Sequence, residues 1–214
     1  MGRGHTPTRR SNIIHMIMAD DGVTPIPSGI ASEIVMQNHY LHRAPQISQS
    51  YGLIEGHEIL GVITFGPPAS RHLQVGVCTD RPDVVTELNR LWVDDCMPRN
   101  TETWFMSRAL RLMPPRIVVS YADTAQGHDG TVYRAANFNY AGWTDMDRKT
   151  PRFDYVPVNG GHSRNATRKS GGGVSGRVRR LPKYRYWTTT GNRSERKALD
   201  SSCQWPKLDW KPHN

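Results

Sequence analysis

ELNRLWVDD (residues 87–95), PRNTETWFMSRALR (98–111), IVVSYADT (117–124) and GHDGTVYRAANFNYAG (127–142) make up the stretch on which the fold turns. Leu88, Leu91, Trp92 and Val93 form a short apolar run that stops at Asp94-Asp95, the pattern of a buried strand. Pro98 and Asn100 then mark a helix start, with Asn100 or Thr101 as the cap and Glu102 in the first turn. Trp104, Phe105, Ser107, Leu110 and Leu112 give no single stripe, so this helix is expected to be covered on more than one side. Pro114-Pro115 ends it, because proline cannot continue the amide ladder. Ile117 to Val119 is a second strand running into Ser120-Tyr121-Ala122-Asp123. Gly127 and Gly130 break the chain before a short helix near Val132–Ala136 and a returning strand at Phe138–Tyr140. Apolar residues supply the skeleton and polar ones gather at the junctions, where α/β sheets carry their chemistry.

Upstream, Ser28 to Gln37 reads as a helix with Ser28 as N-cap and Ile30, Ile34 and Val35 on one face. It leads into His39-Tyr40-Leu41-His42-Arg43, an unusual cluster ahead of a proline. Tyr51–Glu55 and Glu58–Phe65 read as a hairpin turning at Gly56. Ile13 to Met18 is expected to be a strand, and residues 71–83 a loop. The tract Ser170–Gly176 has the composition of a linker, and Tyr184–Thr190 that of a last strand.

The chain has 214 residues and a net charge of +9. The charge is uneven: residues 1–144 hold 12 Lys and Arg against 13 Asp and Glu, while residues 145–214 hold 16 against 6. Such asymmetry points to a polyanionic partner or to a solubilising tail. The aromatic rings in Lys183-Tyr184-Arg185-Tyr186-Trp187 favour the first, since stacking on bases uses them. Three scattered cysteines argue against a disulfide framework and for a reducing compartment. Without a long apolar run or an apolar segment behind the basic N-terminus, neither a membrane span nor a secretory signal is expected. The expected organisation is a flexible basic N-terminus (1–12), a catalytic core (13–145), a basic extension (146–190) and a disordered tail (191–214). The order strand, helix, hairpin, strand, helix, strand, helix, strand resembles that of N-acetyltransferases, so the expected fold class is α+β, with an N-acetyltransferase-like mixed sheet flanked by helices.

These motifs together, with His39-Tyr40 after the first helix, resemble the Mom family of bacteriophage DNA-modification proteins over roughly residues 28–145; Lys183-Tyr184-Arg185-Tyr186 resembles a basic-aromatic element of the same family. The resemblance implies an acetyltransferase-like enzyme that converts adenine in double-stranded DNA to its N6-carbamoylmethyl form. That change shields phage DNA from restriction in the bacterial cytoplasm. It also implies His39, Tyr40, Ser107, Asp123 and Tyr133 as site residues. Asp123 would take a proton from N6 or cap the following turn. Tyr40 and Tyr133 would stack on the base, donate a proton, or serve the core. His39 would act as base, ligand or phosphate contact, with His128 a further candidate. Arg99, Asn100, Thr101 and Asn137 join as donor-binding candidates from their place at the open end of the sheet. Arg177, Arg179, Arg180, Lys183, Tyr184 and Arg185 are the expected DNA contacts.

In acetyltransferases a glycine-rich loop cradles the donor pyrophosphate at a helix N-terminus. Here Cys96-Met97-Pro98-Arg99-Asn100-Thr101-Glu102 stands in that place without the glycines. The expected donor is therefore an activated glycine such as glycyl-tRNA, with acetyl-CoA the alternative. Iron is associated with the family, but no ligand triad at short spacing marks a site for it. The competing readings are an acyl-CoA-dependent N-acetyltransferase with another acceptor and a non-enzymatic DNA-binding protein.

Overall fold

The computed structural model describes residues 22–158 and 173–212. A seven-stranded sheet is built from β1 (Val23–Pro25), β2 (Gln49–Glu55), β3 (Glu58–Gly66), β4 (Val85–Val93), β5 (Ile117–Asp123), β6 (Asn139–Trp143) and, beyond a separate pair, β9 (Lys183–Thr189). Its order is β1-β2-β3-β4-β5-β9-β6. Only β4 and β5 run parallel; every other neighbour is antiparallel. The separate pair is β7 (Phe153–Pro157) with β8 (Val174–Arg179). The helices are α1 (Ser28–Asn38), α2 (Arg71–Val77), α3 (Thr101–Leu112), α4 (Thr131–Ala135) and α5 (Arg193–Ser202).

Strand alternation divides the core into two faces. Ile63, Phe65, Leu88, Val118, Ala122, Tyr140, Tyr184 and Tyr186 lie under α3, which contributes Phe105, Met106 and Ala109. On the other face, Ala31 and Val35 of α1 meet Val62. Beside them Val77 of α2, Leu199 of α5 and Trp205 cover Val85, Ile117, Val119 and Trp187. The mixed sheet flanked by helices agrees with the α+β expectation.

Several expectations need correction. Helix α3 does bury a single stripe, Thr101, Phe105, Met106 and Ala109, while Leu112 is half exposed; Trp104 and Leu110 flank the stripe and blur it in the sequence. The N-cap of α1 is Pro27, whose carbonyl accepts from Ala31, so Ser28 is already helical. Ala31 and Val35 are its buried residues, and Ile30 points outward. Residues 71–83 hold α2, started by Ser70, whose hydroxyl accepts from the Leu73 amide.

The largest correction concerns the C-terminal third. Lys183–Thr189 is not peripheral: β9 is inserted between β5 and β6. Val174–Gly176 belongs to β8 rather than to a linker, the Gly173 carbonyl accepts from the Val158 amide, and residues 170–172 of that expected linker lie outside the described residues. Residues 193–202 form α5, opened by a capping box in which Asn192 accepts from the Glu195 amide and Glu195 accepts from the Asn192 amide. Leu199 and Trp205 are buried and Trp187 donates to the Pro206 carbonyl at 3.0 Å, so this segment completes the core instead of trailing from it. The strand expected at Ile13–Met18 and the flexible N-terminus also lie outside the described residues.

Candidate active site

The parallel pairing of β4 and β5 is short. It runs from Val85↔Ile117 to Glu87↔Val119 and stops, although β4 continues to Val93 and β5 to Asp123. Each strand keeps its outer partner through that length: β4 holds β3 as far as Val93↔Gly61, and β5 holds β9 as far as Asp123↔Lys183. The two therefore diverge as a fork. At its base the Ser120 hydroxyl donates to the Leu88 carbonyl at 2.9 Å, which satisfies the acceptor freed where the ladder ends.

The fork opens into a cavity of about 640 Å³. Its walls are Glu87–Val93 on one side and Tyr121–Ala122 with Lys183 on the other. Asn38–Leu41, from the end of α1, and Gly127–Tyr133 close it further. A register shift between β3 and β4 at Thr64/Phe65 lets Asn89 reach the Thr64 hydroxyl at 2.6 Å, with Arg90 next to it.

His39 is 8% exposed and sits at the C-cap of α1. Burial, then the charges of Arg90, His128 and His42, lower its pKa to about 4, so the ring is neutral at physiological pH. Its Nδ1 accepts from the Leu41 amide at 3.2 Å, which leaves the proton on Nε2 and makes the free end a donor. Tyr40 stacks on His39 at 4.3 Å and meets His128 edge-on at 5.6 Å. Burial, and then the Asp123 carboxylate, raise the Tyr40 hydroxyl's pKa, keeping it protonated. Tyr133 is wedged between Phe138 and Tyr186 at 5.4 and 5.2 Å, and burial pushes its hydroxyl up to about 12. Gly130 makes that packing possible: it has φ +79°, and a Cβ there would lie 2.2 Å from the Tyr186 ring.

Asp123 is 9% exposed and fully engaged. One oxygen takes the Lys183 ammonium at 2.6 Å and the other accepts from the Ala125 amide at 3.1 Å. It both caps the next turn and fixes Lys183 at the cavity wall.

Two residues unmarked by the sequence reading complete the site. Glu87 lies at the fork point, and burial raises its carboxyl to about 7, against smaller opposing effects of the Ala69 amide, Arg90 and Lys183. Arg90 donates to the Arg43 carbonyl at 3.4 Å and to the Asn89 carbonyl, but its buried Nε has no acceptor. The signal for both was present in ELNR, a strand with a charge at every third residue, but only the fork explains why they are turned inward.

The structure does not bring the other candidates here. Ser107 lies on α3 and donates to the Thr103 carbonyl at 2.8 Å, away from the cavity lining. Arg99 and Asn100 are exposed, and the Thr101 hydroxyl donates to the Pro98 carbonyl at 2.7 Å. Asp95 and Glu102 from that junction do face the cavity, and two carboxylates there oppose a pyrophosphate. Asn137 lies at the other end of the sheet, in a smaller depression of about 280 Å³ beside Arg193, Arg196 and Lys197. Of the expected DNA contacts, Tyr184 is buried in the core and the Arg185 guanidinium lies over the Trp205 ring at 5.2 Å. Arg180 pairs with Asp154, while Arg177 and Arg179 are exposed on β8. Among the described residues no group of three or more His, Cys, Asp or Glu is placed to hold a metal. No helix among them is long and apolar enough to cross a membrane.

Together these features define an α+β protein with a forked sheet and a polar, aromatic-walled cavity. Residues 22–196 match the Mom protein family, and the chain belongs to that family. It is similar to the methylcarbamoylase Mom of Escherichia phage Mu, with 36% identity over 132 residues. That match covers 56% of this chain and 53% of the phage Mu protein, so the chain spans about half the length of the curated relative it matches.

Proposed function

We propose that the protein is a DNA-modifying enzyme that converts adenine to N6-carbamoylmethyladenine in duplex DNA, with the reacting base held in the fork cavity. The observation that carries this reading is the meeting, in one space of about 640 Å³, of an aromatic wall, a buried carboxyl titrating near neutrality and an unsatisfied guanidinium donor. The name of the phage Mu relative and the shared family support it. An acetyltransferase-like fold would seat its group donor in such a fork.

Adenine N6 is a weak nucleophile that must leave the stack and lose a proton. Tyr40 and His39 form a stacked aromatic pair on which a flipped base can lie. The neutral His39 offers a donor to a ring nitrogen rather than acting as base. Glu87 accepts the N6 proton, since a carboxyl near pH 7 is matched to that task. Arg90 Nε donates to the carbonyl oxygen of the incoming group as charge builds on it. Asp123 acts by positioning Lys183 rather than by taking the proton, because both its oxygens are engaged.

The donor in this reading is an activated glycine ester: the acyl C–O bond breaks as the bond to N6 forms, and the released alcohol takes up the proton that Glu87 removed from N6. Glycyl and carbamoylmethyl groups are isomers, so transfer to N6 and rearrangement through the free amine lead to the product without further atoms. Asp95 and Glu102 disfavour the pyrophosphate of acetyl-CoA on that wall. Purified protein, plasmid, charged glycyl-tRNA or acetyl-CoA, and nucleoside mass spectrometry test both parts. Modification that persists with acetyl-CoA after all tRNA is removed would overturn the donor.

A further inference from the structure

Among the described residues β7 and β8 pair only with each other, as a two-stranded sheet separate from the main one. This ribbon leaves the body after β6 and returns at β9. At its root Trp143 opposes Tyr184, and the Thr144 amide donates to the Lys183 carbonyl at 2.8 Å. Lys183 also lines the fork cavity, so the ribbon rises from the rim of that cavity.

The two faces of the ribbon differ. Register places Phe153 opposite Arg179 and Tyr155 opposite Arg177, so these four side chains share one face. The Arg177 guanidinium sits 4.5 Å from the Phe153 ring. Neither arginine has an acidic partner among the described residues, and Tyr155 is 42% exposed. The one acid in the ribbon, Asp154, lies on the opposite face and is answered by Arg180, whose Nε reaches it at 3.0 Å. Every described residue of β8 is exposed.

We propose that the ribbon is a duplex-reading arm: its Phe153-Tyr155-Arg177-Arg179 face enters the major groove beside the target adenine, holding the duplex against the cavity. This deepens the reading of DNA as substrate and rests on it. A two-stranded antiparallel ribbon fits a B-form major groove, which is about 12 Å wide and carries the full base-edge code. Guanidinium groups beside aromatic rings suit guanine edges, phosphates and thymine methyls, whereas a merely solvated ribbon needs no sorting of acid to one face and rings to the other. The position at the rim explains how one contact surface can serve both docking and base extrusion.

The test uses the full chain, a 20-base-pair duplex containing adenines, and the double variant R177E/R179E. R193E/R196E, at the far end of the sheet, makes the same charge change as the control. The proposal expects the ribbon variant to bind duplex at least about tenfold more weakly than the control, with a log–log salt slope shallower by about two. Arg179→Ala alone should show a smaller loss in the same direction, with unchanged thermal unfolding. A major-groove ligand should displace the protein and a minor-groove ligand should not. Equal weakening in ribbon and control variants, or displacement by the minor-groove ligand alone, would overturn it, as would a ribbon that serves a protein surface and leaves duplex binding untouched. Duplex binding lost on ribbon mutation in a protein unable to modify adenine would support the ribbon and defeat the modification reading. Undiminished duplex modification by the ribbon variant would do the reverse.

Discussion

At the scale of single residues, Glu87 links stability to chemistry. Its carboxyl titrates at about 7 in the fold against 4.5 in an unperturbed glutamate, so the folded chain holds this proton more tightly than the unfolded one. The charge therefore costs nothing below pH 4.5, and the cost grows as pH rises to about 7 and then stays. Glu87→Gln keeps the shape without the charge. The variant is expected to be more stable than the parent by about 1–3 kcal/mol at pH 8 and equal to it near pH 4.5, read by thermal unfolding at the two values. The same change should lower adenine modification by about 10²-fold or more and remove the rise in rate through pH 7. A variant that is neither more stable at pH 8 nor less active would remove Glu87 from the proposed role. Gly130 supplies a second residue-scale expectation. Alanine there meets both a left-handed backbone and the Tyr186 ring, so Gly130→Ala should lose about 2–4 kcal/mol in a denaturant titration.

Elements decide how much of the fold could be read in advance. Helix α3 and strand β5 were legible because Pro98, Pro114-Pro115 and a β-branched run bound them in local sequence. The β2–β3 hairpin was legible through Gly56, which takes φ +59° at the turn. Helix α5 was not, because ten residues with one buried leucine look like a solvated tail; its stability comes from a capping box and from Trp205, whose sheet partners, Tyr121 and Trp187 among them, lie far from it in sequence and bury it only in three dimensions. Strand β9 looked like a basic extension because Lys183 and Arg185 alternate with Tyr184 and Tyr186, and only the insertion between β5 and β6 shows that Lys183 lines the cavity while Arg185 covers Trp205. His39, Tyr40, Asp123 and Tyr133 do converge around the fork, whereas Ser107 and Asn137 do not, since helical phase and sheet end are tertiary facts. The corrected role of α5 is open to measurement. A chain stopped after Thr190 loses Leu199 and Trp205 from the core and should melt about 10 °C or more lower, or fail to fold. An unchanged melting temperature would return the segment to the status of a tail. Asn192→Ala, which removes half of the capping box, should cost about 1 kcal/mol.

For the whole molecule, charge and topology point the same way. The cavity opens where β4 and β5 part, the ribbon rises from its rim, and the excess of basic residues lies in the sequence that builds both the ribbon and β9. Duplex affinity should therefore fall steeply with salt, about one decade of affinity per decade of salt for each phosphate neutralised. The most direct measurement is mass spectrometry of nucleosides from plasmid DNA recovered after expression of the chain in bacteria, beside the Glu87→Gln variant. The account predicts a deoxyadenosine heavier by one C2H3NO unit with the parent chain, and little or none with the variant. Unmodified deoxyadenosine from cells that contain the folded parent protein would contradict it.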